Sequence, residues 1–419
     1  MSAKHLRIDM GSGSPLNHHE DVIKHLMSFA PANEYIFSST VSKSWRVCTG
    51  ELDKQARKTY LSSATLSASR LEWAKACGCP WNENTCSTAA KVGAVETLQY
   101  AREMGCPWDK STCEAAARHG HLDVLIWAKS NGCPWDEKTC SEAARGGHLD
   151  VLQWARAQNC PWNEWTCSDA ALGGHLDTLV WARDNGCPWD EYTCAHATIR
   201  GGLNVLQWAR AHNCPWDEDT CHYAAGGGHL DILQWARGNN CPWDEETCNL
   251  AAVSGYLDVL QWARANNCPW EEETCASAAR EGHLDVLQWA RANGCPWDET
   301  TCASAALGGH LDVLRWAHAN GCPWDKMTCS NAASGGHLEV LRWARSAGCP
   351  WDEETCTYAS RGGYLEILQW ARINGCPWDE ETCEYAVIMG HHDIVDWARS
   401  QGCPEFSIRG QNDARPTAV

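Results

Sequence analysis

The dipeptide Cys-Pro returns every 27 residues along this chain, at Cys79, Cys106, Cys133, Cys160, Cys187, Cys214, Cys241, Cys268, Cys295, Cys322, Cys349, Cys376 and Cys403, without one insertion or deletion. A globular domain with irregular loops does not keep such a register; a solenoid, whose units pack only on their neighbours, does. The composition carries the same imprint, with 26 Trp and 27 Cys against 3 Phe, as copying of one short segment produces.

One unit, residues 132 to 158, reads GCPWDEKTCSEAARGGHLDVLQWARAQ. Asp136 is a good N-cap, and Trp135 with Cys140 is placed as a hydrophobic staple around it. The first helix is expected to run to Arg145 and stop at Gly146 and Gly147. A second helix opens at His148 or Leu149, with Asp150 in its first turn and Leu149, Val151, Leu152, Trp154 and Ala155 turned inward. Where His is present, its expected role is to start that second helix by hydrogen bonding. The residue after each second helix is always Gly or Asn (Gly132, Asn159, Gly186, Asn213 and so on), the two types that best tolerate a left-handed backbone. Pro two residues later keeps the helix from resuming. The expectation is an all-α solenoid of about twelve 27-residue helix-turn-helix repeats.

The copies differ in an ordered way. Counting the residue before the Thr of the first helix as zero, positions one, two, five, six and nine are Thr, Cys, small, small and Gly, whereas zero, three, four, seven and eight vary. Those five varying positions form one stripe of an α-helix, so that stripe is expected to face outward. In the middle of the array it carries Trp165, Tyr192, His196, Ile199, His222, Tyr223 and Leu250, large groups where solvation alone favours polar ones. These are the candidate protein-binding residues. A second group, Tyr358, Tyr385, Ile388 and Met389, falls in the terminal units, where an atypical surface is ordinary.

Cys133, Cys140 and His148 raise the question of metal. The C-x6-C spacing exceeds that of common structural zinc sites, and the His position holds Ala94, Gly202, Tyr256 and Tyr364 in four units, so no metal site is expected. Buried free thiols beside Trp are the favoured reading over a disulfide ladder. No nucleophile with its base, unique carboxylate pair or phosphate-cradling loop stands out, which points away from an enzyme and from any cofactor. A net charge of −19 argues against nucleic acid as the main partner. The absence of a long apolar run or a signal peptide points to a cytoplasmic or nuclear protein without a membrane span, and a monomer is expected.

The stretch TCSEAARGGHLDVLQWARAQN, residues 139 to 159 and near-copied in the other units, resembles an ankyrin repeat, with Thr139, Ala143, Ala144, Gly147, His148, Leu149 and Gly132 at matching positions and the likeness covering about residues 62 to 402. More closely the chain is similar to the short Cys-Pro-Trp ankyrin-like arrays of brown algae and large DNA viruses. The Thr-Pro-Leu-His start is Thr-Cys here, and 27 residues leave too little chain for β-hairpin fingers. The resemblance implies a protein-binding scaffold whose concave surface is lined by first helices.

Residues 1 to 19 read as a flexible N-terminus, 20 to 60 as a small helical segment, 61 to 403 as the repeats and 404 to 419 as a tail. The helical segment, with Val22, Ile23, Leu26 and Phe29 on one side and Val41 and Trp45 following, resembles a divergent F-box, though SPLNHHED stands where Leu-Pro usually opens one. That likeness implies binding to the adaptor of a cullin-type ubiquitin ligase, with the repeats selecting substrates. A simple cap over the first repeat is the alternative.

Overall fold

The computed structural model describes residues 81 to 404, together with Ser67, Ala68 and Leu71. The F-box-like segment with Val22, Ile23, Leu26, Phe29, Val41 and Trp45, and the tail after residue 404, lie outside the described residues. Those described form 24 α-helices and no strand, in tandem pairs on the 27-residue period, each unit a first helix, a tight turn and a second helix. No helix of them is long and apolar enough to cross a membrane. The chain divides between Pro188 and Trp189 into two compact units, each a solenoid of stacked helix pairs.

In the reference copy the first helix is Glu137–Gly146 and the second Leu149–Ala157. Asp136 starts the first, its carboxylate accepting from the Lys138 amide at 3.1 Å. Asp109, Asp244, Asp298, Asp325, Asp352 and Asp379 do the same in their units. Both helices close in the same way. Gly147 takes φ 73°, its amide donating to Ala144 and the next amide, of His148, to Ala143. After a second helix, Gly132 takes φ 83°, its amide donating to Lys129 and that of Cys133 to Ala128. These paired bonds satisfy the last carbonyls of each helix and need a left-handed residue. The same position is filled by Asn159, Asn213, Asn240 and Asn267 at φ 60° to 65°, as the alternation of Gly and Asn required.

Burial separates two layers. Thr139, Cys140, Ala143 and Ala144 of the first helix and Val151, Leu152 and Ala155 of the second are fully enclosed. Leu149 and Trp154, expected inside, are half-buried. Within each compact unit, neighbouring first helices share the broad contact, while neighbouring second helices touch little. Side-chain size explains the asymmetry, because small residues let first helices approach closely and Trp holds second helices apart.

Three recurring contacts join one copy to the next. The Cys of Cys-Pro donates its thiol to the carbonyl of the preceding N-cap residue, as from Cys133 to Asp109 at 3.4 Å and from Cys160 to Asp136 at 3.4 Å. The Arg near the end of most second helices donates to the carbonyl of the next Cys and lies over the next loop Trp, as Arg156 does with Cys160 and with Trp162, 4.0 Å from its centroid, while Lys129 and His318 take the place over Trp135 and Trp324. That Trp in turn meets the Trp of its own second helix edge-on, Trp135 and Trp154 at 5.9 Å. The loop Trp is therefore more than a staple for its own helix. In the last copy it does meet that expectation too, Trp378 packing with Trp397 against Cys383, Ala398 and Cys403.

The third contact corrects the expected role of His. No His before a second helix caps that helix with its side chain. The ring reaches back instead to the carbonyl that ends the first helix of the preceding unit: His121 to Lys91 at 3.1 Å, His283 to Val253 at 3.0 Å, His337 to Leu307 at 3.1 Å. It also lies over the left-handed Gly of that unit, where an added Cβ on Gly255 would come 2.7 Å from the His283 ring. Tyr256 replaces His as the ring over Gly228.

Gly255→Ala combines a forbidden φ with that clash and is expected to cost about 2 kcal/mol. Gly238→Ala, inside a helix with nothing within 4 Å of the new Cβ, is expected to be neutral or stabilising by up to ~1 kcal/mol. Urea unfolding of the two variants checks both signs.

Candidate functional site

The outward stripe divides into three kinds of position. Position zero is exposed or half-buried: Trp165 is 46% exposed in the first compact unit and Tyr192 38% in the second. Ile199, at position seven, is 37% exposed. Position four is half-buried, as at His196, Tyr223 and Leu250. Position three departs from the expectation, because it is enclosed in most units, as at Ser141, Ser168, Ala195, Ser330 and Thr357. A first helix flanked by first helices buries a wider arc than one packed face. His222 occupies position three and is only 8% exposed, so it is no outward-facing contact residue.

His222 instead ties two units together. Its Nδ1 lies 3.2 Å from Asp219 Oδ1 of its own helix and its Nε2 2.5 Å from Asp244 Oδ1 of the next unit. Each ring nitrogen thus faces a carboxylate, one from its own copy and one from the next. This function was hidden in the sequence, where His222 reads as one more large group on a varying stripe.

Beside it the second compact unit presents a run of rings. Tyr192 and His196, one turn apart on the helix Glu191–Ile199, have centroids 6.0 Å apart. His196 and Tyr223, of the helix Asp219–Gly226, follow at 6.5 Å. Leu250, on Glu245–Val253, continues the row, 3.5 Å from the place a Cβ on Gly226 would take. Burial, and next the carboxylate of Asp219, push the Tyr223 phenol up. Burial also raises the Asp217 carboxyl, with crowding by Asp219, Glu218 and Glu191. None of the helices Glu191–Ile199, Asp219–Gly226 and Glu245–Val253 contains a Lys or Arg; Arg200 follows the first of them.

The same face of the first compact unit differs in chemistry. An open groove of about 270 Å³ between first helices is lined by residues including Thr88, Lys91, Glu114 and Arg118. Its carboxylates are paired, Glu142 with Arg118 and Glu114 with Lys138, each at 3.0 Å. Sequence reasoning passed over it because it has no large apolar residue to draw notice.

The cysteines form the interior of the joints. Every Cys of the described residues is a buried free thiol. The Cys of Thr-Cys in one unit meets the Cys of Cys-Pro in the next, Cys194 with Cys214 and Cys221 with Cys241. A hydrogen bond between the sulfurs, and then burial, push Cys194 and Cys221 well above the usual thiol range. At the end of the array Cys403 is pushed up to about 12, by burial and by its bond to Cys383. Among the described residues, no group of three or more His, Cys, Asp or Glu side chains is gathered to hold a metal ion.

No family model matches the chain and no curated protein matches it. Among solved structures it is similar to the pentatricopeptide repeat protein PPR10 in complex with an 18-nucleotide psaJ RNA element, at 14% identity and a TM-score of 0.37, over 91% of this chain and 63% of that one. The figures are the same for PPR10 with three cysteines replaced by serine. It is also similar to the human ASB11 ankyrin repeat domain, at 17% identity and a TM-score of 0.32, over 38% of this chain and 84% of that one. The chain thus spans about 63% of the length of the PPR10 structures. These likenesses concern the helical-repeat architecture alone.

Two outcomes follow from the joints. Since the folded state holds Thr-Cys thiols such as Cys194, Cys221, Cys248 and Cys275 protonated while an unfolded chain ionises them from about pH 8.5, the unfolded chain binds fewer of these protons above that pH and stability falls as pH rises. Denaturant midpoints measured from pH 7 to pH 10 should therefore decline, the fall setting in near the ordinary thiol range. His222→Ala removes the link between two carboxylates that remain reachable by water, and is expected to lower stability by about 1 kcal/mol, read as a shift of the denaturant midpoint.

Proposed function

We propose that this chain is a non-enzymatic protein-interaction scaffold that holds a protein ligand on the first-helix face of its second compact unit. The observation that carries the reading is the row Tyr192, His196, Tyr223 and Leu250, large groups on three consecutive first helices whose remaining surface is built to one pattern. Aromatic side chains at partly exposed positions on a rigid scaffold are the usual anchors of protein interfaces. Ile199 sits at the exposed rim of the same row, and Trp165 is an equivalent open position in the first compact unit. His222 acts beneath the face, fixing the relation of two helices that carry it.

A protein ligand fits this face better than a nucleic acid, because its three helices carry carboxylates and no Lys or Arg to neutralise phosphate. Repetition supports the non-enzymatic reading. The side chains that recur in each unit are spent on the joints, and the face offers rings and carboxylates with no nucleophile held by a base.

Tyr192→Ser, alone and with Tyr223→Ser, is expected to abolish capture of the partner in affinity purification from the native source. Tyr192 is the more open of the two, so its single variant should leave the thermal midpoint in place. Undiminished capture by both variants would reject the reading.

A further inference from the structure

The rings of the second compact unit stand in an anionic setting, and that setting specifies the partner. The geometry points to an extended, basic peptide segment, rich in Lys or Arg, as the occupant of the face formed by the helices Glu191–Ile199, Asp219–Gly226 and Glu245–Val253. This inference rests on the protein-binding reading above and gives that binding its chemistry.

Charge complementarity is the argument. Over these three helices and the residues that lead into them the chain places Asp190, Glu191, Asp217, Glu218, Asp219, Asp244, Glu245 and Glu246, and no Lys or Arg. In several other units the corresponding carboxylates are paired across copies, Asp136 with Lys110 at 2.5 Å, Glu114 with Lys138 at 3.0 Å, Asp352 with Lys326 at 2.6 Å. Here the bridging group is His222, held between Asp219 and Asp244 beneath the surface. One Asp217 oxygen is buried without a hydrogen-bond partner. Like-charge crowding by Asp219, Glu218 and Glu191 acts on the same carboxyl. An incoming cation relieves the crowding.

The rings supply the second half of the recognition. Tyr192 and Tyr223, with His196 between them, offer π-faces to a guanidinium or ammonium and apolar surface to its methylenes. Similar cation-over-ring contacts already run along the molecule, as Arg264 over Trp270 at 4.0 Å. A segment lying across the three helices would set successive cationic side chains against rings and carboxylates in turn. The whole chain, at −19, steers such a ligand inward.

The test uses the full chain and three labelled nine-residue peptides, alternating Lys-Gly, alternating Arg-Gly and alternating Glu-Gly, followed by fluorescence anisotropy at several salt concentrations. The basic peptides are expected to bind, more weakly as salt rises, and the acidic one to remain free. Asp217→Asn with Glu191→Gln removes two charges at the face with amides of nearly the same shape, and should weaken binding roughly fivefold or more. Asp258→Asn with Asp285→Asn removes two charges from second helices and should change it by less than about twofold. Equal losses in the two double variants would show that net charge alone attracts the peptides and would overturn the inference. Binding of the acidic peptide would overturn it also. Should no peptide bind while Tyr192→Ser still loses its captured partner, the face binds protein of another chemistry, and this inference alone falls.

Discussion

The close approach of first helices is the constraint on which the other features depend. It is made possible by the enclosed row of Thr, Cys and paired Ala, as in Thr139, Cys140, Ala143 and Ala144, small side chains that leave no room between neighbouring backbones. Once the helices are that near, a ring from the next unit lies on the left-handed Gly at the helix end, and only Gly is tolerated there. The Cys pairs meet in the same space, where the bond between the sulfurs and then burial push Cys194 and Cys221 up. The wider second-helix layer is spaced by Trp and locked by the Arg that lies over the next loop ring. Each contact reaches a neighbouring copy, so the stability of a unit is shared with its neighbours in the manner of a one-dimensional array.

That division leaves one surface free to vary. Position zero of the first helix touches none of the three recurring contacts, and it is there that Lys138, Trp165, Tyr192 and Asp219 succeed one another. Position four borders the neighbouring helix and tolerates Glu142, His196, Tyr223 or Leu250 at half burial. A partner that reads several copies at once can therefore be accommodated without disturbing the joints. His222 shows what happens when a change falls one position inward: a large polar group is drawn into the joint and must find charged partners on both sides.

Much of this was legible in the sequence because it is local. The left-handed ends follow from Gly and Asn alone, the helix starts from Asp136 and its copies, and the period from Cys-Pro. What escaped was the relation between copies. His148 stands where it could start its own helix, and nothing local shows that such a ring reaches back 30 residues, as His121 does to Lys91. Position three was read as outward because its residues differ, yet Ser141, Ser168, Ala195 and Ala303 are all small, a signal of enclosure that His222 obscured. The carboxylates around Tyr223 were visible in the composition, but their gathering beside the rings depends on the stacking of three units.

The account turns on the claim that the first-helix face, and not the nearly uniform second-helix face, meets the partner. Photo-crosslinking tests it most directly, with p-benzoylphenylalanine placed at Tyr192 in one variant and at Gln234, exposed on the second helix Leu230–Gly238, in another. The partner is predicted to crosslink from position 192 and not from position 234. Crosslinking from 234 with none from 192 would contradict the account.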